Sequence, residues 1–254
     1  MTAPIVDAAG IPPSSVQIFL INDPSINAFV AGGQNIFFHT GIILQTETPQ
    51  MLMGVIAHEA GHIAGAHLTQ LSSASKEASI GALLSTVLGA AAVVAGSGDL
   101  GAAIISGGQN TAMRNLLSHY RGNEQQADQA GVSYLEKIGL SPKGMLETFE
   151  LMRRNERQRL GSAGDPYLRT HPLTTDRIAA LRGEVERAEN LPQSPGPTIE
   201  LAYARSRAKL GAFLADPKDT LRSYPPSRRD EAGHMARAVA YFKQPKLNAA
   251  LREV

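Results

Sequence analysis

The chain contains no cysteine, so disulfides and thiolate metal sites are excluded, and the composition fits any redox compartment, including an oxidising one. It also lacks a charge of one dominant sign. With 24 Lys and Arg against 23 Asp and Glu, nothing in the balance points to nucleic acid or to an anionic membrane. No basic segment followed by an apolar core opens the sequence, so no signal peptide is expected in these residues. Long apolar runs are scarce. The exception is 80–98, 19 residues without a formal charge, close to the minimum length of a membrane span. That stretch is built largely from Ala, Gly and Ser, and Gly89, Gly96 and Gly98 weaken it as a helix. Three readings fit it: a spanning helix, a mobile helical hairpin over a site that touches a membrane surface or client, and a buried small-residue helix. At 254 residues the chain can bury one substantial core, or one domain with an appendage.

What the sequence does contain is His58-Glu59-Ala60-Gly61-His62, a complete HExxH pattern. On a helix, the four-residue offset puts both imidazoles on one face, where they can converge on one metal. Glu59, beside the first ligand, can accept the proton of the attacking water. The surrounding pattern predicts strands at 16–21 and 36–38, β-branched and aromatic runs bounded by turn residues. Thr48 and Pro49 predict the start of the motif helix, expected to end near Leu71. Further helices are expected over 111–138, closed by Gly139, over 141–160 from Ser141-Pro142, and over 172–189. The loop 161–169 separates the last two. Residues 190–197, with three prolines and one glycine, read as a linker, followed by helices over 199–214 and 230–242 and a further piece from Lys246.

Two histidines leave a catalytic zinc short of the three protein ligands it ordinarily takes. Gly65 matches the glycine of an extended HExxHxxGxxH pattern, but the third-histidine position holds Leu68, and His67 falls one residue early. A turn at Gly65 would have to redirect it. The alternative is Glu124, with Asp128 one helical turn later on the same face, able to accept the outward N–H of a ligating imidazole. A bare ExxxD pattern is common, and a solvated acidic pair on a surface helix is its ordinary meaning. The motif's need for a third ligand favours Glu124.

Taken together, Asn27-Ala28-Phe29-Val30, Gly32-Gly33, the run from Ile36 through Gly41, Val55-Ile56-Ala57 leading into the HExxH motif, Asn123-Glu124-Gln125-Gln126-Ala127-Asp128, His171-Pro172 and Arg177-Ile178 occur in a specific order. In this the chain resembles the M48 family of zinc metallopeptidases over residues 3–189. The likeness is closest to periplasmic bacterial members that carry tetratricopeptide repeats and act in outer-membrane protein quality control. The resemblance implies an α+β fold, a mainly helical zincin-type domain with a small β-sheet. It implies one zinc ion per chain, held by His58, His62 and Glu124, with Glu59 as catalytic base and Asp128 behind the ligands. His171 lies near the metal in such proteins, either stabilising the oxyanion or taking the water position in a latent state. On sequence grounds alone, a histidine before a proline after Gly161-Ser162-Ala163-Gly164 can be moved into a site, but is more often a cap or surface residue. Arg177 is expected to pair with Asp128 or near Glu124.

The expected division is a metallopeptidase domain over 1–190, a linker over 191–197, and a helical segment over 198–254 that opens a tetratricopeptide repeat region. The full array does not follow in these residues, which reads as a shortened form. The expected reaction is hydrolysis of unfolded or misassembled polypeptides in the periplasm. Outer-membrane assembly machinery and a peripheral membrane contact are expected partners, and nucleic acid is not. The strand through Ile36, Phe37 and Phe38 is expected to hold extended substrate by backbone hydrogen bonds. The competing function is a latent protease acting mainly as a chaperone or client-binding module, with 72–110 covering the cleft.

Overall fold

A computed structural model describes residues 1–94, 97–158 and 171–254. The architecture is α+β and mainly helical. After α1 (Thr2–Ala8) and a short 3-10 turn come β1 (Gln17–Ile21), β2 (Ala28–Ala31) and β3 (Asn35–His39). Helices α2 (Thr40–Gln45), α3 (Pro49–Ala64), α4 (His67–Val94), α5 (Gly98–Lys137), α6 (Lys143–Gln158) and α7 (Thr175–Arg187) follow. The chain continues through α8 (Pro197–Leu214), α9 (Pro217–Ser223), α10 (Glu231–Lys243) and α11 (Leu247–Leu251). The expected loop 161–169 lies outside the described residues.

The sheet has three strands in the order β1-β3-β2, with β1 parallel to β3 and β2 antiparallel to it. Alternation sends Ile36 and Phe38 of β3 into the core, while Phe37 faces outward and stacks on Phe19 and Phe29 of its two neighbours. This corrects the expectation for Ile36, Phe37 and Phe38. Their strand is the middle one, paired along both sides, so its backbone has no free edge to offer an extended substrate. Among the described residues the unpaired edges belong to the two outer strands: β1, whose side chains are mostly exposed, and β2, whose Ala28 and Val30 are buried and which the periodicity reading passed over.

Helix α3 is the centre of the fold, buried from Met51 through His62. Thr48 does occupy its N-cap position with extended backbone, but the hydroxyl makes no capping bond; Pro49 in the first turn supplies the pre-set φ. Two other helices press on α3 at glycines. A Cβ on Gly61 would lie 2.8 Å from the carbonyl oxygen of Ala127 on α5, and one on Gly54 would lie 2.5 Å from Met145 Cα on α6. From the opposite side, a Cβ on Gly131 of α5 would come within 3.2 Å of the Ala57 and His58 backbone. These contacts bring α3 and α5 almost backbone to backbone. Short side chains on the two helices can therefore meet.

The motif helix does not run on to Leu71. It stops at Ala64, and Ala66 takes a left-handed conformation (φ 51°) before α4 starts at His67. Helices α4 and α5 then form an antiparallel hairpin. Gly89 approaches Gly101 and Ile105, and Gly108 approaches Ser85. Close packing at these glycines explains why α5 begins at Gly98, well before the expected Thr111, despite poor intrinsic helix formers. The outer side of α4 exposes Ile80, Leu83, Leu84, Val87, Leu88 and Val94. By length and composition alone, α4 is the one helix among the described residues that could cross a membrane, and only 11% of its most apolar window is buried. That exposure excludes the buried-helix reading. Gly139 (φ 75°) ends α5 as expected, with Leu140 N–H bonding back to Leu135 O.

The C-terminal helices dock on this body through Tyr203, whose buried hydroxyl donates toward Ile43 O and Thr46 O at 3.1 and 3.0 Å, and through Arg207, which bonds Leu44 O at 2.7 Å. Beyond it, α8 and α10 pack on small residues, Ala208 and Ala212 against Ala232 and Ala236.

The α3–α5 crossing makes two opposite glycine predictions. Gly61→Ala is expected to push the helices apart and lower unfolding free energy by about 1–3 kcal/mol. Gly122→Ala, where a Cβ meets nothing within 4 Å, should raise it by about 0.5–1 kcal/mol. Urea denaturation of both variants beside the wild type measures the difference.

Candidate metal centre

His58 and His62 leave the same face of α3, as their spacing requires, and their Nε2 atoms lie 3.0 Å apart. Opposite them α5 projects Glu124, whose carboxylate oxygens lie 3.4 Å from His58 Nε2 and 3.3 Å from His62 Nε2. His171, just ahead of α7, adds its Nδ1 at 3.0 Å from Glu124 and 3.3 Å from His58 Nε2. One ligand atom from each of these four residues falls within 4.8 Å of all the others, a group that could hold a metal ion.

A layer of partners stands behind them. His58 Nδ1 lies 2.9 Å from Asp128 Oδ1, which sets the ring with its other nitrogen toward the cluster. Arg177 from α7 grips Asp128 with two bonds, Nε to Oδ2 at 2.6 Å and Nη2 to Oδ1 at 2.8 Å. Its Nη1 reaches Glu124 at 2.9 Å and also bonds Pro172 O, so one guanidinium ties both α5 carboxylates to the segment carrying His171. Phe149 of α6 lies under that guanidinium, 5.0 Å from ring centre to carbon. Arg177 is buried, a stronger arrangement than the helix-surface ion pair that is the ordinary expectation for such a residue.

Electrostatics and the donor set both suit a divalent cation. Glu124 and Asp128 are buried carboxylates and Arg177 is the buried guanidinium bonded to both, so two acids share one fixed cation and a second positive charge, a proton on His58 or a metal ion in its place, is favoured beside them. Burial disfavours charge on His58, but the bonds to Asp128 and Glu124 outweigh it and push its pKa up to about 10. Burial pulls His62 down to about 4, leaving it a neutral donor. Burial would raise Glu124 and Asp128 too. Instead the histidines around Glu124, and Arg177 and His58 around Asp128, hold both well below the usual carboxylate range. Glu59 is different: it is fully buried, yet among the described residues neither carboxylate oxygen has a hydrogen-bond partner. A buried acid without a donor is costly unless something polar is meant to meet it. His171 Nε2 stands 3.8 Å from it.

A cleft of about 230 Å³ opens onto these groups. Phe29 and Val30 of β2, Leu68 and Leu71 of α4, and Tyr120 and Asn123 of α5 line it with Glu59, His62, Glu124 and His171. The sequence reading missed the β2 pair, although both stood within Asn27-Ala28-Phe29-Val30. The base of the α4–α5 hairpin forms part of the wall.

Removing the guanidinium tests this electrostatic layout. Arg177→Met should leave Glu124 and Asp128 buried without their cation and lower metal-free stability by about 3–5 kcal/mol, read by denaturant titration. The two carboxylates titrate lower folded than unfolded. Their contribution is therefore present above about pH 4 and lost as pH falls through the depressed folded values. Glu124→Gln should flatten the acid limb of a stability–pH curve.

The geometry agrees with the comparisons. The Vibrio cholerae putative beta-barrel assembly-enhancing protease is 29% identical over 198 residues, covering 78% of this chain and 40% of that protein. The Yersinia pestis beta-barrel assembly-enhancing protease is 30% identical over 202 residues, covering 79% of this chain and 40% of the relative. The mitochondrial metalloendopeptidase OMA1 of Saccharomyces cerevisiae is 28% identical over 182 residues, 69% of this chain and 48% of that protein. The chain thus spans less than half the length of these curated relatives. With residues 1–185 matching Peptidase family M48, and with a buried His and Glu cluster able to bind a metal at the head of a cleft, the chain belongs to that peptidase family.

Proposed function

We propose that the protein is a zinc-dependent endopeptidase that cleaves unfolded or misassembled polypeptides in the cell envelope. The observation that carries the reading is the convergence of His58, His62 and Glu124 beside the unpartnered carboxylate of Glu59. The three are the zinc ligands, and the two histidines are presented on their Nε2 side. When bound, zinc lowers the pKa of a water and polarises the scissile carbonyl. Glu59 takes the proton of the attacking water and passes it to the leaving amine. His39 and His119 lie outside the cluster and have no part in this chemistry.

Asp128 and Arg177 orient His58 and Glu124. The free edge of β2, with Phe29 and Val30 on the cleft, is the element suited to hold an extended chain by backbone bonds, which reads many sequences without fixed side-chain contacts. His171 has two roles to choose between. With its Nδ1 inside the ligand group, it takes the fourth position of a latent form; swung out with Pro172, it can donate to the oxyanion. The placement of Nδ1 against Glu124 favours the latent form here.

The relatives named beta-barrel assembly-enhancing proteases support β-barrel assembly as the process served and, with it, a periplasmic setting. The division into a domain over 1–190 and the start of a tetratricopeptide repeat region over 198–254 rests on the sequence pattern. The exposed apolar side of α4 supports a peripheral membrane or client contact near the cleft. A latent protease serving mainly as a client-binding module is the second reading, favoured by His171 within the ligand group.

Glu59→Gln separates the two. The variant should retain zinc and its melting temperature while losing at least about a hundredfold in the rate of casein cleavage. Undiminished cleavage would sink the catalytic assignment, and absence of cleavage by the wild type even after His171→Ala would favour the binding module. Glu124→Ala should sharply reduce zinc content measured by atomic emission, whereas His67→Ala should leave it near one ion per chain when zinc is in excess.

A further inference from the structure

His67, set aside as a ligand, is neither exposed nor idle. It is the first residue of α4 and is 4% exposed. Its Nδ1 lies 3.0 Å from Nδ1 of His62, with the two rings nearly perpendicular at 82°. The backbone is shaped for this approach. Ala66 takes a left-handed φ of 51°, a conformation disfavoured for a residue with a Cβ. That turn folds the chain back on itself directly after α3. At Gly65 an added Cβ would sit 2.3 Å from His67 Nε2, so the ring occupies the space a side chain there would need.

Two imidazole nitrogens facing each other can bond in only one of two ways: one carries the proton and the other offers its lone pair. His62 presents Nε2 to the ligand group, and for that nitrogen to be a lone-pair donor the proton must sit on Nδ1. The His62 Nδ1–H therefore donates to His67 Nδ1, and His67 keeps its own proton on Nε2. Nε2 makes no hydrogen bond of good geometry among the described residues, the side chain of Gln126 being the polar group nearest to offering one.

We infer that His67 is a positioning residue for the metal site, fixing the tautomer and ring orientation of His62 through its Nδ1. The inference rests on the metal reading above. It makes the two α3 histidines unequal: His58 leans on the carboxylate of Asp128, whereas His62 leans on a neutral imidazole delivered by the start of the hairpin. It also links the site to the hairpin, since His67 is where α4 begins and Leu68 and Leu71 just beyond it line the cleft. Any displacement of the α4 base is felt first at His62.

The test uses the full chain in three variants, with zinc affinity measured by chelator competition and the visible spectrum of the cobalt-substituted protein as the second readout. His67→Leu fills the space without an acceptor and should weaken zinc binding by about 10–100-fold and shift the cobalt bands, as loss of an outer partner of a ligating histidine does. His67→Asn places a carbonyl oxygen at the same point along the side chain and should recover most of the affinity and the wild-type spectrum. Wild-type affinity and spectrum in His67→Leu would overturn the inference. So would equal losses in His67→Leu and His67→Asn, which would mark a packing role only. His58→Ala reports on the metal reading separately: zinc affinity equal to wild type in that variant would overturn the reading itself, and the role of His67 with it.

Discussion

The structure depends on how closely α3 and α5 cross. Glu124 and Asp128 have short side chains, and they reach His58 and His62 only because Gly61 lets the Ala127 carbonyl of α5 settle where a side chain would otherwise stand. Gly131 completes the contact one turn beyond Asp128, against the backbone at His58 itself. The glycine inside the HExxH motif is therefore a packing residue as well as a spacer between ligands. A methyl group there would act on the site through distance, without touching the chemistry.

That proximity creates an electrostatic problem, because it gathers carboxylates where little of their surface meets solvent. Arg177 answers part of it by bonding both α5 acids at once, and Phe149 beneath it excludes solvent from the guanidinium face. The rest falls on the histidines, and the two of α3 respond in opposite senses: His58 is driven up by its acidic partners, while burial takes His62 down. A metal ion at their junction would displace the proton from His58 and would find His62 already neutral. The same residues thus hold three helices together and define a charge that suits a metal.

The hairpin follows a different logic. Among the described residues its outer half packs through glycine contacts between its own two helices, at Gly89, Gly101 and Gly108, and its outer apolar side chains remain in the open. Its base, by contrast, is tied into the centre through His67, Tyr120 and Glu124.

Residue spacing alone determined a good deal. The four-residue offset of His58 and His62, the same offset between Glu124 and Asp128, and the cap and breaker residues at Pro49 and Gly139 follow from helical geometry and local φ preferences, and the structure places each on the expected helix. Packing decided what those local rules do not reach. No local signal marks the left-handed turn at Ala66, because the neighbouring glycine was the obvious place for a break. The early start of α5 at Gly98 reverses weak helix propensity through contacts with α4. Strand order is also a tertiary matter: Ile36, Phe37 and Phe38 read as strand in the sequence, but only pairing put them in the middle and left the edges to β1 and β2. Likewise the meeting of His171 and Arg177 with residues some fifty positions earlier rests on α7 docking against α5 and α6, a contact between surfaces that no local stretch of sequence contains.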